Sequence, residues 1–372
     1  MKLCLCVGTR PNFMKAAPLI RAFKKYGIDY RLIHTGQHYD KNMSQIFFDE
    51  LGIPEPDINL GAWIEGDSPS MQIGRTMVFF SRQMELNRPD LIMVVGDVNS
   101  TLACALVANK MGIKLAHVEA GERSHDRSMP EEINRILVDE LSDLLFCASE
   151  EAHNNLYKEI NIQKEMTHMV GDTMIDQLIY SEPKLGIAVS GPYSNPYAIL
   201  TIHRAGNVNN TERLEAIIDI VSKVSEKIQV FFPCHPRTRK AMIDIGYRTR
   251  SKNKSDSFIF LKPMSYLEFM SLVKNSKFVM TDSGGLQVET SYLNIPCLTF
   301  RENTERHNTM ASGSNILISI DDYIRGMATT VLKYVNTILN GKWKQSDFKL
   351  NPIHDGKASE RIIEIIKKGE EI

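Results

Sequence analysis

Leu3-Cys4-Leu5-Cys6-Val7-Gly8-Thr9-Arg10-Pro11 is the stretch that decides the fold. A short continuous apolar run is what a parallel strand looks like when both of its faces are covered. Gly8 to Pro11 breaks the run, and a helix-like stretch over about Asn12–Lys25 follows. The alternation repeats down the chain. Tyr30–Thr35, Leu91–Val95, Leu115–Val118, Leu144–Cys147 and Met166–Val170 read as further strands, with helical segments between most of them. Most of these strands end on a glycine or a short polar turn: Gly36, Gly96-Asp97, Glu119-Ala120-Gly121 and Gly171. Strands alternating with helices predict a doubly wound parallel sheet.

Glu182–Tyr197 then changes character, with Pro183, Pro192 and Pro196 beside Gly186 and Gly191, and reads as a linker. After it the pattern restarts, with strands at Ala198–Ile202, Val230–Pro233, Phe258–Leu261, Phe278–Thr281 and Cys297–Phe300. The expected fold class is therefore α/β, with two doubly wound Rossmann-like domains facing a cleft. The first domain covers 1–180 and the second covers 181–354. A C-terminal helix within 355–372 is expected to pack back on the first domain.

The chain has 372 residues, of which 43% are hydrophobic and 24% charged, as in an ordinary globular protein rather than a disordered or fibrous one. Net charge is −1, so no bulk basic field points to nucleic acid. Cys4, Cys6, Cys104, Cys147, Cys234 and Cys297 form no CxxC pair and read as reduced core thiols of a cytoplasmic protein. No apolar run is long enough to span a membrane, and the N-terminus is too short before its first turn for a signal peptide.

In sheets of this kind, ligands sit beyond the carboxyl ends of the strands. Gly8-Thr9-Arg10-Pro11 enters a helix there, and a helix N-terminus favours phosphate. The turn lacks the GxGxxG pattern of a dinucleotide site. Thr281-Asp282-Ser283-Gly284-Gly285 is the stronger signal: its Ser-Gly-Gly step can wrap backbone N–H groups around an anion. Glu289 follows where a carboxylate can take ribose hydroxyls, with Arg301, Thr304, Glu305 and Arg306 downstream. A plainer reading makes Ser283 a simple N-cap. Asp97, Glu119 and Glu131 are carboxylates at strand ends or a helix start, candidates for acid–base work. Glu132 reads as favourable placement in a first helical turn. His203-Arg204 follows a strand, and His235 lies in a proline-bounded turn. No metal-ligand spacing is present.

Taken together, Gly8-Thr9-Arg10-Pro11 with Lys15, Gly96-Asp97, His117-Val118-Glu119-Ala120-Gly121 through Pro130-Glu131-Glu132-Ile133-Asn134-Arg135, and Thr281-Asp282-Ser283-Gly284-Gly285 through Thr304-Glu305-Arg306 resemble the UDP-N-acetylglucosamine 2-epimerases. The blocks occur in the family's order across essentially the whole chain. The resemblance implies a two-domain fold of the glycosyltransferase B type, a homodimer, a UDP-sugar substrate, and no metal or nicotinamide cofactor. It also implies the reaction. UDP leaves by elimination as carbon 2 loses its proton, and UDP re-adds to the 2-acetamidoglucal with protonation from the opposite face. Asp97, Glu119, Glu131 and His203 match the family's catalytic residues. Arg10, Lys15, Arg135, His235, Ser283, Gly284, Gly285, Glu289 and Arg301 match positions at the substrate or its UDP. Gln37, His38 and Asp40 match a second UDP-sugar site, with Asp40 where a glutamine is usual. Asn12, Gly206, Val288 and His307 also depart from the common pattern. The hydrolysing enzyme, a 2-epimerase of a UDP-diacetamido uronic acid and a glycosyltransferase of the same fold are the alternatives.

Overall fold

The computed structural model describes residues 1–36, 48–64, 66–159, 164–186, 195–247, 257–327 and 330–370. The chain forms two compact units. One comprises Met1–Tyr180 with Asn351–Ile372, the other Ser181–Leu350.

Seven parallel strands build the first sheet: β1 (Leu3–Val7), β2 (Tyr30–His34), β3 (Ile58–Asn59), β4 (Leu91–Val95), β5 (Lys114–Ala120), β6 (Leu144–Cys147) and β7 (Thr167–Met169), in the order β3-β2-β1-β4-β5-β6-β7. Every residue of β1 and β4 is buried, so the central strands have no polar face. The second unit has six parallel strands: β8 (Tyr197–Thr201), β9 (Gln229–Pro233), β10 (Phe258–Leu261), β11 (Val279–Thr281), β12 (Cys297–Thr299) and β13 (Asn315–Leu317), in the order β10-β9-β8-β11-β12-β13. Leu200, Val230, Phe232, Met280 and Leu298 join helix residues Ile217, Val221 and Val335 in its core. Both sheets are doubly wound, as the alternation predicts. All six cysteines are buried and free, and Cys4 and Cys6 lie side by side with their sulfurs 3.9 Å apart.

Several boundaries differ from the sequence reading. The short strands β3 and β13 were not anticipated, because two or three residues give no periodicity to read. β5 runs on to Ala120, so Glu119 lies within the strand rather than after it. Pro183 opens a single 3-10 turn, Glu182–Lys184, in the proline-rich segment, and residues 187–194 lie outside the described residues.

The last helix, Ala358–Glu370, is capped by a distant carboxylate. Asp176 accepts the Ala358 N–H (3.1 Å), the Ser359 N–H (2.8 Å) and the Ser359 hydroxyl (2.6 Å). Arg361 donates to the Val170 carbonyl at 2.8 Å, and Ile362, Ile363 and Ile366 are buried. These contacts tie the chain's end to the first unit.

His34, closing β2, accepts the Gly36 N–H on Nδ1 at 2.9 Å, which requires that nitrogen to be unprotonated. Burial drives its pKa down to about 4, against a hydrogen bond with Asn59 that acts the other way. As pH falls, the unfolded chain takes up this proton first. Stability is therefore lost between about pH 6.5 and about pH 4, by about 3 kcal/mol for this one group. Urea unfolding across that window is expected to show the loss, and His34→Asn is expected to flatten the slope.

Candidate active site

In a doubly wound sheet the crevice opens where the strand order reverses. That point lies between β1 and β4 in the first unit and between β8 and β11 in the second. Gly8–Pro11 follows β1 and Gly96-Asp97 follows β4. His203-Arg204 follows β8 and Asp282-Ser283-Gly284 follows β11. Four of the turns singled out in the sequence therefore fall at the switch points, two in each sheet, while His235 and Arg301 follow the neighbouring strands β9 and β12.

In the first unit Asn12 knots the two turns together. Its Oδ1 accepts the N–H groups of Gly8 and Thr9, both at 3.1 Å, and its Nδ2 donates to the Val95 carbonyl at 2.8 Å. A carboxylate side chain in place of Asn12 cannot make the donor half of that pattern. Lys15, one turn along the same helix, forms an ion pair with Glu119, each side chain being 9% exposed. Glu119 has φ 76, at a register shift between Val118 and Ala120. A non-glycine residue in this left-handed region is strained, and its neighbours must hold it there. Gly96 (φ +68) packs beneath this pair: a Cβ there would sit 3.1 Å from Lys15 Nζ and 3.3 Å from Glu119 Oε2.

Asp97 forms an ion pair with Arg135, and Arg135 reaches Glu132 at 2.7 Å with its other nitrogen. Glu132 is 1% exposed and also accepts the Ser124 N–H, the Ser124 hydroxyl and the His125 N–H, each at 2.9 Å. The placement of Glu132 in a first helical turn is real, but its carboxylate is a buried anchor rather than a solvated dipole partner. Glu131, its neighbour, is half-buried and belongs to none of these pairs. Asp97 and Glu119 each sit against a cation.

In the second unit the fully buried Asp282 organises the turn after β8. It accepts the His203 N–H at 3.1 Å and the Arg204 N–H at 2.9 Å, and lies 3.1 Å from His203 Nδ1. Burial alone pushes the Asp282 carboxyl up. The hydrogen bond and charge of His203, with the Arg204 N–H and the Asn207 amide, outweigh that and hold it below the ordinary carboxylate range. The His203 side chain stays 57% exposed, so one edge is oriented while the rest of the ring is accessible.

Ser283 caps the helix Gly284–Tyr292, accepting the Leu286 N–H at 3.4 Å. A Cβ on Gly284 would overlap Glu305 Oε1, so that position has room only for glycine while Glu305 keeps its place. Glu305 holds Arg301 at 2.7 Å. Glu289 is buried and accepts the Tyr266 hydroxyl at 2.9 Å. His235 caps the helix Pro236–Asp244, its Nδ1 accepting the Arg237 N–H at 3.2 Å.

The chain matches the UDP-N-acetylglucosamine 2-epimerase family over residues 21–367. The chain belongs to this family. The UDP-N-acetylglucosamine 2-epimerase of Methanocaldococcus jannaschii is 40% identical, with 99% of this chain and all of that protein covered. A crystal structure of the M. jannaschii enzyme in complex with UDP-GlcNAc and UDP is similar, with a TM-score of 0.88 over 99% of this chain and 100% of that one at 39% identity. The UDP-2,3-diacetamido-2,3-dideoxy-D-glucuronate 2-epimerase of Pseudomonas aeruginosa is 35% identical over 99% of this chain and 100% of its own length. The family resemblance read from the motif blocks is therefore correct, and so is its fold.

Lys15, matched to a position at the substrate or its UDP, pairs in the structure with Glu119. Gln37, His38 and Asp40 lie outside the described residues, as does the side chain of Arg10. Among the described residues no group of three or more His, Cys, Asp or Glu side chains is placed to hold a metal, and no helix is long and apolar enough to cross a membrane. The sequence reading missed Asp139, which anchors His117 and Arg123 from the helix Pro130–Leu141. No local signal marks it: Asp139 shares its helix face with Glu132 and Arg135, a polar face that the structure buries.

Proposed function

We propose that this family member interconverts UDP-N-acetylglucosamine and UDP-N-acetylmannosamine without net hydrolysis. The observation that carries the proposal is the pair of carboxylates, Asp97 and Glu119, each held against a cation beside the switch point of the first sheet. A simple glycosyl transfer needs no such pair. Removing the carbon 2 proton needs a positioned ionised base, and returning it on the other face needs a second proton carrier. Asp97, Glu119 and Glu131 handle that proton. As the C2–H bond breaks, its electron pair forms the C1=C2 bond and the C1–O bond to UDP breaks, the electrons leaving with the diphosphate. UDP re-adds to carbon 1 as carbon 2 is protonated from the opposite side.

The second unit binds the UDP portion. Ser283, Gly284 and Gly285 present the start of a helix to the diphosphate. His203, oriented by ionised Asp282, stabilises the departing charge. Glu289 takes the ribose hydroxyls, exchanging its Tyr266 partner, while His235 and Arg301 orient the groups around them; in the first unit Arg135 holds Asp97 for the sugar. Lys15, also matched to a position at the substrate or its UDP, steadies Glu119. The Methanocaldococcus enzyme crystallised with UDP-GlcNAc and UDP supports the choice of sugar nucleotide. The Pseudomonas relative supports a second reading, a UDP-diacetamido uronic acid as substrate.

The six buried free thiols fit a reducing cytoplasm. The enzyme is a homodimer, with Met71 (55% exposed) and Val78 (50% exposed), seven residues apart on one helix, as candidate contacts. Proton NMR of the purified protein with UDP-N-acetylglucosamine tests the reaction. UDP-N-acetylmannosamine building to a constant ratio is the expected result. Free N-acetylmannosamine with UDP marks the hydrolysing enzyme. If the sugar is untouched, the proposed substrate is wrong, and the diacetamido uronic acid becomes the next trial.

A further inference from the structure

Between Asp97 and Glu119 runs a chain of buried polar contacts for which the reaction chemistry has no direct use. His117, on β5, is fully buried. Its Nδ1 meets Asp139 Oδ1 at 2.6 Å and its Nε2 meets the Gly96 carbonyl at 2.9 Å. A carbonyl and an ionised carboxylate are both acceptors, so each ring nitrogen must carry a hydrogen. The other oxygen of Asp139 accepts the Gly121 N–H at 3.1 Å and Arg123 Nη1 at 2.8 Å. One carboxylate on the helix Pro130–Leu141 thus grips the chain at His117, on β5, and at Gly121, just past its end, two residues before and two after Glu119. Through His117 it also reaches the carbonyl next to Asp97.

Buried charges of this kind contribute little net stability compared with apolar packing. Here they bracket a residue in the left-handed region, whose backbone persists only where its surroundings over-determine it. We propose that His117, held by Asp139, is a positioning residue that fixes the Asp97 turn relative to the Glu119 carboxylate. The inference rests on the reading that these two carboxylates perform the acid–base step.

Two substitutions separate the grips. The amide nitrogen of asparagine falls near the Nδ1 position of histidine, and that of glutamine near Nε2. His117→Asn keeps the tie to Asp139 and loses the tie to Gly96. His117→Gln does the reverse. His117→Asn is expected to lower kcat by on the order of 10²-fold, the scale of a displaced catalytic group, with KM and UDP affinity changed less than about twofold. His117→Gln is expected to recover at least about tenfold of that loss. A folded His117→Asn with wild-type kcat overturns the proposal. So does a parallel loss of kcat, UDP affinity and thermal midpoint in both variants, which marks a purely structural role. If neither variant folds, ¹⁵N-histidine NMR of the unmodified enzyme decides, because a His117 ring nitrogen without a hydrogen means that one of the two ties is not made. Asp97→Asn and Glu119→Gln are measured alongside. Wild-type turnover in those two would remove the acid–base reading itself, whereas their loss beside a fully active His117→Asn removes only this inference.

Discussion

Glu119→Gln is expected to lower turnover by roughly 10²–10⁴-fold, the usual contribution of a positioned acid or base. The amide cannot take up a proton and leaves Lys15 beside a neutral partner in a pocket where both side chains are 9% exposed. Asp97→Asn is expected to act similarly, because the Arg135 guanidinium then loses its carboxylate on one side while Glu132 keeps it in place on the other. Both defects are expected in kcat, since the UDP portion is assigned to residues of the second unit. The check is kcat, KM and UDP affinity, each measured beside circular dichroism. A loss of UDP affinity as large as the loss of kcat would contradict the assignment.

Gly121→Ala is expected to destabilise the first unit severely. At φ +80 a side chain is strained, and a Cβ would overlap the backbone carbonyl of Ala152 on the helix Glu150–Glu159. That carbonyl belongs to backbone and cannot swing aside as a flexible side chain can. Gly121 also donates its N–H to Asp139 and accepts the Asn155 amide at 3.0 Å, so any shift disturbs the grip around Glu119. Strain of about 1–3 kcal/mol adds to the repacking of that helix, of similar size. The loss is a large fraction of a typical domain's margin. Thermal unfolding checks it: a midpoint within a degree or two of wild type would mean that the helix yields at little cost.

Much of this architecture is legible in the sequence because parallel strands are apolar on both faces and end in turns that need glycine or polar residues. β1 and β10 show this well, and the turn after β11 carries its own signature. Sites at the switch points then follow from strand order. The reading fails where a feature depends on distant parts of the chain. Nothing local says that Asp176 caps the helix Ala358–Glu370, that Glu132 anchors the loop at Ser124, or that Asp139 binds His117. Glu119 is instructive in another way. Positive φ is anticipated at glycine, so a glutamate held there by a lysine, a bulge and a buried carboxylate leaves no mark in the local sequence.

The most direct test of the central claim is incubation of the enzyme with UDP-N-acetylglucosamine in deuterium oxide, followed by proton NMR at carbon 2. The account predicts deuterium entering that position in both epimers as UDP-N-acetylmannosamine forms, and a drastic slowing of that exchange in Glu119→Gln. Epimer formation with the original hydrogen fully retained at carbon 2 would contradict it, because no proton would then pass through the carboxylates of the first unit.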